Sequence, residues 1–370
     1  MTLPAHGLPA GTLRRVRIVG TGLLGASIGM ALTRQGIDVE LSDSSPTAQA
    51  LARDLGAGRL AEDGDDAAAP ELVVVAVPPD VTARVIADQL HAYPTATVTD
   101  IASVKGRILD QVRALVEPRT LDRYIGSHPM AGRERSGAIA ARADLFAGRP
   151  WVICTDEDTP AKDLQHVVDL ARLVGGTPVH LDADRHDAAV ARISHAPQVM
   201  SSLMAARLKD APMDAVALAG QGLRDVTRIA ASDPALWAQI LDANAVEVRN
   251  VLTELREDLD TVIGALDGRV DALGVLASAI GAGNEGQARI PGKHGTAPTV
   301  YSTVTVLVGD KPGELGRLFT EMGEAGINLE DLQLEHANGQ QFGLAEVSVL
   351  PAARGPLIEE LRARGWTVPE

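Results

Sequence analysis

Two short segments hold the side chains best suited to chemistry. Ser127-His128-Pro129-Met130-Ala131-Gly132 follows an apolar run at Tyr124–Gly126, and Ala102-Ser103-Val104-Lys105-Gly106 follows another at Thr97–Ile101. An imidazole titrates near neutrality, so His128 can take the proton from a hydroxyl whose carbon gives up hydride. Ser103 can hold that imidazole or touch a substrate; its hydroxyl equally suits the N-cap of a helix over Val104–Val116. Lys105 and Arg107 read as solvated charges. Further on, Arg185-His186-Asp187 precedes Ile193-Ser194-His195-Ala196-Pro197-Gln198. Pro197 cannot donate a helical hydrogen bond, so a kink or helix start there would aim His195 into a cleft, although a histidine on an Ala-rich helix has an equally good structural reading. Arg224 and Arg228 share one helix face, a spacing that presents two cations together. Ser232-Asp233-Pro234 opens the next helix, with Trp237 in its first turn. No His-x-x-x-His pair or carboxylate cluster suggests a metal.

The element that must position these groups is written at residues 16–25. An apolar strand, Val16–Val19, runs into Gly20, Gly22 and Gly25, spaced G-x-G-x-x-G, and an Ala/Leu/Met-rich helix follows to Arg34. A second strand, Val39–Ser42, ends on Asp43. In a dinucleotide-binding turn the first glycine permits the tight turn, the second lets backbone approach a pyrophosphate, and the third allows helix and strand to pack closely. The helix start at Leu23 and Leu24 aims free N–H groups and a positive dipole end at the phosphates. A carboxylate at Asp43 can accept from both ribose hydroxyls and would repel a 2′-phosphate, which points to NAD rather than NADP. Val77 and Pro78, where the strand Leu72–Val77 stops, complete the expected cofactor contacts. Ligands of open α/β sheets bind beyond the carboxyl ends of the strands, where Ser103 and His128 also fall.

The chain has 370 residues, room for two or three domains, and 45% of them are hydrophobic, but only 2% are aromatic, so cores must rest on Ala, Val, Leu and Ile. Its net charge of −15 argues against nucleic acid or an anionic membrane as the main partner. One cysteine, Cys154 in the strand-like run Trp151–Cys154, excludes an internal disulfide framework and reads as a buried, inert thiol. Residues 1–14 carry Pro and Gly without the apolar core of a signal peptide, and a disordered N-terminus on a soluble, cytoplasmic protein is expected. Short β-rich runs alternate with helical stretches over 15–181, predicting a mostly parallel sheet. Strand signals vanish over 182–280, where Val246, Leu252, Leu255, Leu259 and Ile263 keep one helix face apolar. By analogy such a face is buried against a second subunit, as in a homodimer. Residues 281–299, punctuated by Gly281, Gly283, Gly286, Pro291 and Gly292, read as a linker. From 300 the order is strand (Ser302–Val308), turn (Asp310-Lys-Pro-Gly), helix (Glu314–Glu324), strand (Asn328–Glu335), turn (Asn338-Gly339), strand (Phe342–Val349), helix (Gly355–Arg364) and a last strand near Trp366–Val368, a ferredoxin-like βαββαβ unit.

Taken together, Val19-Gly-Thr-Gly-Leu-Leu-Gly-Ala-Ser, Asp100-Ile-Ala-Ser-Val-Lys-Gly, Ser127-His-Pro-Met-Ala-Gly-Arg-Glu-Arg-Ser-Gly, His186-Asp, Ile193-Ser-His and Arg224-Asp-Val-Thr-Arg-Ile-Ala with Trp237 resemble the prephenate dehydrogenases that carry a C-terminal ACT domain. The resemblance runs nearly end to end. It implies a Rossmann nucleotide-binding domain, an all-α dimerisation domain and the ACT unit. It also implies oxidative decarboxylation of prephenate to 4-hydroxyphenylpyruvate, with NAD taking hydride from ring carbon C4. On that resemblance His128 accepts the C4 hydroxyl proton, Ser103 orients it, Arg228 binds a substrate carboxylate, Trp237 shapes the pocket and His195 lines it. Gln198 stands where many relatives have a histidine, and Leu223 where an aromatic is frequent. Both lie where the substrate side chain belongs, so arogenate is the alternative substrate. An uncharged Gln198 offers an ammonium group no acidic partner, which favours prephenate. Asp310-Lys-Pro-Gly-Glu-Leu resembles the first turn of an ACT unit and suggests tyrosine as an effector. Two other readings differ in class. A hydroxy-acid dehydrogenase of similar build would need a catalytic lysine that the helical segment lacks, and a non-catalytic amino-acid sensor would be expected to have lost His128, Ser103 or Arg228.

Overall fold

A computed structural model describes residues 13–60, 69–131, 137–156, 158–268, 271–291, 301–336 and 342–369. Gly132–Ser136 of the His128 motif and the Asn338-Gly339 turn lie outside the described residues. The chain divides into two compact units, one up to Arg256 and one from Glu257.

The first unit is built on an eight-stranded sheet in the order β3-β2-β1-β4-β5-β6-β7-β8. Its strands are β1 (Arg15–Val19), β2 (Asp38–Ser42), β3 (Arg59–Leu60), β4 (Leu72–Val75), β5 (Thr97–Asp100), β6 (Tyr124–Pro129), β7 (Pro150–Cys154) and β8 (Thr177–Leu181). Neighbours run parallel except β6 and β7, which pair antiparallel. The helices around it are α1 (Leu23–Arg34), α2 (Pro46–Asp54), α3 (Pro79–Ala92), α4 (Gly106–Leu115), α5 (Pro118–Leu121) and α6 (Ala161–Leu173). Strand β4 shows why its sequence is apolar throughout. Leu72 and Val74 join the core containing Ile18, Ile28, Leu32 and Trp151, while Val73 and Val75 face the core containing Ile86, Leu90, Val98 and Val112. A strand covered on both faces has no polar side to alternate with. The chain order reverses between β1 and β4, so the crevice beyond their carboxyl ends is the switch point of the sheet.

Several expectations are corrected here. Of residues 1–14, expected to be disordered, Leu13 is buried in the core and the Arg14 N–H donates to Glu71; residues 1–12 lie outside the described residues. β6 extends past Gly126 to Pro129 because β7 pairs with Ser127, His128 and Pro129, so His128 stands in a strand and not in a loop. The helix after Ser103 begins at Gly106, and Ser103 does not cap it.

Helices follow β8: α7 (Ala183–Val190), α8 (Ala196–Ala206), α9 (Met213–Ala217), α10 (Gln221–Thr227), α11 (Pro234–Ala243) and α12 (Ala245–Leu266), the last running across the division between the units. Between α7 and α8, residues Ala191–His195 form a π-helical turn. Pro197 withholds an N–H from the helical ladder, and the wider turn just before it accommodates the missing bond without a sharp break. On α12 the predicted apolar face is there: Val246, Leu255, Leu259 and Ile263 are all exposed in the single chain.

The second unit contains α13 (Ala272–Gln287), which takes in Gly281, Gly283 and Gly286; that stretch is helix and not linker. Its sheet has strands β9 (Ser302–Gly309), β10 (Asp331–His336) and β11 (Phe342–Val349), antiparallel in the order β10-β11-β9. Helices α14 (Glu314–Glu324) and α15 (Arg354–Ala363) supply Leu318, Met322, Leu357 and Leu361 to its core. The expected last strand shrinks to one antiparallel bridge between Thr367 and Leu307.

Gly20 has φ +99°, and a Cβ on Gly25 would lie 2.0 Å from the Gly20 carbonyl oxygen. Backbone cannot yield as a flexible side chain can. Gly25→Ala is expected to lower stability by about 1–3 kcal/mol, the usual range for overpacking, as measured by urea unfolding.

Candidate functional site

The glycine turn presents an open cradle. A Cβ on Gly22 would meet nothing within 4 Å, and Gly22 begins α1 with no side-chain cap and no acidic residue in the first turn. The N–H groups at Leu23 and Leu24 therefore face a site able to take an anionic group at the positive end of α1. These features fit a dinucleotide pyrophosphate. Asp43 clamps the turn: its Oδ2 accepts from the Thr21 N–H (2.6 Å) and hydroxyl (2.8 Å), and its Oδ1 from the Ser45 N–H (2.8 Å). A carboxylate has about four acceptor positions, so three internal bonds leave Asp43 capacity for a ribose hydroxyl. Val77 and the exposed Pro78 lie just past the end of β4, across the switch point.

At the same edge of the sheet, β5 and β6 end in a buried polar network. Lys105, 1% exposed, forms an ion pair with Asp100 and donates to the Ser127 carbonyl oxygen (2.8 Å). The expectation that Lys105 is solvated is overturned, whereas Arg107 is exposed and pairs with Asp242. Asp100 also accepts from the Tyr124 hydroxyl (2.8 Å) and the Ala102 N–H (2.8 Å). An ion taken out of water must be compensated in this way by its partner and by further hydrogen bonds. Burial, with Asp100 beside it, pushes the Tyr124 hydroxyl well above its ordinary range.

His128 is half-buried, and its Nδ1 lies 2.9 Å from His186 Nε2, the rings meeting edge to face. His186 Nδ1 lies 2.8 Å from Asp187 Oδ1. Asp187 also accepts from the Lys105 N–H (2.9 Å) and the Gly106 N–H (2.8 Å), and so caps α4 from 82 residues further along the chain. Ser103 is half-buried and makes no hydrogen bond among the described residues; the group that holds the His128 ring is His186. Burial first, then the positive charge that His186, Lys105 and His195 can carry, pushes His128 well below the ordinary histidine range, so it stands as a neutral base at pH 7.

His195 sits at the end of the π-helical turn and is buried. Asn244 Nδ2 donates to the Asp187 carbonyl oxygen (2.9 Å) and lies 3.1 Å from His195 Nδ1, and the Trp237 ring meets His195 edge to face at 6.0 Å. Gln198 is buried, with its amide nitrogen donating to the Ile229 carbonyl oxygen (2.9 Å) and to Ser202 (3.2 Å) while its oxygen accepts from Ser232. It thereby ties α8 to the short 3-10 turn Arg228–Ala230. Arg224 lies on α10 and Arg228 opens that turn directly after it; both are exposed. His128, His186, Asp187, Asn244, His195 and Trp237 thus form one connected set, with Gln198 and the Arg228 turn next to it. The sequence motifs include His186, Asp187 and Lys105 but give them no role in holding His128, and Asn244 carries no signal. The signal for Lys105 is a lysine five residues after an aspartate that ends an all-buried strand. Burial also pushes the Cys154 thiol up to about 12, which makes it inert at neutral pH. Among the described residues, no helix is long and apolar enough to cross a membrane.

The prephenate dehydrogenase nucleotide-binding domain model matches residues 28–180, and the prephenate dehydrogenase dimerization domain model matches residues 182–273. The chain is 36% identical over 363 residues to the Streptomyces niveus protein named "Probable prephenate dehydrogenase NovF", covering 96% of this chain and 99% of that one. Among solved structures it is similar to the prephenate dehydrogenase from A. aeolicus in complex with hydroxyphenyl propionate and NAD+, with TM-score 0.65, 25% identity, and 74% and 98% of the two chains covered. It is also similar to Synechocystis arogenate dehydrogenase, with TM-score 0.60, 26% identity, and 73% and 99% covered.

Burial pushes His195 down to about 4, with His186 lowering it further and Asp187 opposing. An imidazole in the unfolded chain takes up its proton near pH 6.5. Between those two values the unfolded state binds more protons than the folded one. The stability contribution is therefore complete above about pH 6.5 and is lost as the pH falls toward 4. Urea midpoints are expected to drop between pH 7 and pH 5, and His195→Gln to flatten part of that drop; an unchanged slope in the variant would remove His195 as a cause.

Proposed function

The chain belongs to the prephenate dehydrogenase family, and on that premise we propose that it oxidises prephenate to 4-hydroxyphenylpyruvate and CO₂ with NAD as the hydride acceptor. The observation that carries the reading is a neutral imidazole at the carboxyl edge of the sheet whose switch point holds an open, uncapped helix start. Bound NAD supplies the site that receives hydride from ring carbon C4. His128 accepts the C4 hydroxyl proton as the C–O bond becomes a carbonyl. The ring carboxylate then leaves as CO₂, its bonding electrons flow into the ring, and the new phenol oxygen regains a proton. Charges and atoms balance with no further reactant. Ser103, half-buried beside α4, is assigned to the substrate hydroxyl. Arg228 is assigned to a substrate carboxylate, with Trp237 and His195 shaping the pocket wall and Gln198 holding the arginine's turn.

Cofactor contacts are assigned to Gly20, Gly22, Leu23, Leu24, Gly25, Val77, Pro78 and Asp43, whose carboxylate disfavours the 2′-phosphate of NADP. Gln198 spends its amide on Ile229, Ser202 and Ser232, which leaves no acidic partner for the ammonium group of arogenate and favours prephenate. We assign 15–181 to cofactor binding, 182–280 to substrate binding and homodimerisation through the exposed face of α12, and 300–370 to an ACT-like regulatory unit. Support for the last is the strand order of its sheet and the Asp310-Lys-Pro-Gly313 turn beside a cavity of 140 Å³ lined by Gly309, Lys311, Leu315 and Gly343, to which we assign a tyrosine effector.

Assays of prephenate and arogenate with NAD and NADP, with and without tyrosine, test the reading; turnover confined to arogenate would overturn the substrate assignment. His128→Asn is expected to lower kcat by about 10²–10⁴-fold, the span of general-base catalysis, with NAD affinity by fluorescence titration changed less than about threefold. Arg228→Ala should raise KM for prephenate about 10–100-fold, the loss expected for one charge-assisted carboxylate contact; unchanged steady-state constants would remove that role.

A further inference from the structure

We propose that Asp187 and His186 are positioning residues that fix which ring nitrogen of His128 is basic. The inference rests on His128 being the proton acceptor. Its geometry is a single line of hydrogen bonds, from the Asp187 carboxylate through His186 to His128 Nδ1.

The proton positions follow from donor and acceptor counting. Asp187 Oδ1 faces the Lys105 N–H and Oδ2 faces the Gly106 N–H. Both are backbone donors that cannot turn around, so the carboxylate accepts on both sides. His186 Nδ1, against the same Oδ1, must then carry its proton and donate. A neutral imidazole has one N–H, so His186 Nε2 is an acceptor. His128 Nδ1 must therefore carry a proton to meet it. That leaves His128 Nε2 with its lone pair, as the nitrogen free to take the hydroxyl proton. When it does so, the positive ring keeps its Nδ1–H bond to His186, whose own N–H is held by a carboxylate. The orienting logic is that of a base–carboxylate pair in nucleophilic catalysis, here extended by one imidazole.

Capping α4 explains why Asp187 is a carboxylate, but it does not explain His186. His186 is fully buried, and both of its nitrogens are engaged in line. The charged and titratable groups around His128 are His186 and Asp187 from α7, His195 from the π-helical turn, and Lys105 with its partner Asp100 from the β5–α4 connection. Lys105 is engaged with Asp100 and the Ser127 carbonyl oxygen, and His195 with Asn244, so the group hydrogen-bonded directly to the His128 ring is His186.

Histidine ring-nitrogen NMR on the full-length, ¹⁵N-histidine-labelled protein reads the tautomers directly. Both His128 and His186 should be in the Nδ1–H form at neutral pH, assigned by comparison with His128→Asn and His186→Phe. Two variants add a kinetic test. His186→Phe keeps a ring in the cavity but offers no acceptor, and kcat should fall roughly 10–100-fold, as when one buried donor is left unpartnered, with KM and NAD affinity within about threefold. His186→Gln can offer its side-chain oxygen to His128 Nδ1–H and should regain most of the lost kcat. A packing role would reverse that order, with Phe the better substitute. An Nε2–H tautomer of His128 in the native protein, or a His186→Phe kcat within threefold of native, overturns the proposal. If either variant fails to fold, the native spectrum alone decides. Failure of the underlying assignment looks different: His128→Asn would keep its turnover while the native tautomers stayed as described.

Discussion

One carboxylate organises the active edge of this sheet. Helix α4 starts without a local side-chain cap, because the chain turns from Asp100 to Gly106 in a way that carries Ser103 off the helix end. Its first N–H groups are buried and need an acceptor, since an unsatisfied buried donor costs about 1–3 kcal/mol. Asp187 supplies it from α7, taking the N–H groups of Lys105 and Gly106 at once. Gly106 leaves little room to spare, for a Cβ there would stand 3.1 Å from Asp187 Oδ2. That contact docks the first helix after the sheet onto the carboxyl ends of β5 and β6. It puts His186 against His128, and through the Asp187 carbonyl oxygen it brings in Asn244 at the end of α11, the helix that carries Trp237.

The buried pair of Lys105 and Asp100 serves the same edge electrically. Removing two charges from water is unfavourable, and here Tyr124, the Ala102 N–H and the Ser127 carbonyl oxygen offset the loss. The result is a fixed ammonium group near the His128 ring. Burial already disfavours a positive imidazole, and the lysine adds to it, so the base form persists through neutral pH. The two histidines beyond act in the same direction if they gain protons. Opposing them, the carboxylate of Asp187 makes a transient positive charge on His128 tolerable, through His186. A proton acceptor needs both tendencies: a low proton affinity at rest and a partner for the charge during reaction.

The parts of this architecture legible in the sequence were those with a periodic or local signature. The glycine spacing, the buried β4 run and the helical period after β8 each depend on residues close in sequence, and they located the sheet, its switch point and the loops beyond it. What could not be read were pairings set by long separations. His128 lies in a strand only because β7 returns antiparallel beside it. Lys105 is buried only because Asp100 and the Ser127 carbonyl oxygen meet its ammonium group from two strands, with Tyr124 completing the Asp100 carboxylate. Ser103 had the right residue type for a cap, and a more distant carboxylate took the position. The glycines of 281–286 resembled a linker because glycine is a poor helix former at roughly 1 kcal/mol per residue, yet α13 runs through them.

The two substrate-facing tasks proposed for His128 and Arg228 rest on different kinds of support. His128 is held by strand pairing with β7 and by a line of hydrogen bonds through His186, which is engaged at both ring nitrogens, to Asp187. Proton transfer demands this, because an error of a fraction of an ångström at the base is felt in the barrier. Arg228 is the exposed first residue of a 3-10 turn that Gln198 of α8 holds through the Ile229 carbonyl oxygen, which Ser232 also engages. A carboxylate contact needs charge and reach more than fixed geometry, and a long guanidinium side chain supplies both. Gln198 is thus better understood as the anchor of the arginine's turn than as a direct substrate contact. On the proposed assignment, changes at its position would then alter the discrimination between a keto acid and an amino acid by moving Arg228, while leaving His128 where it is.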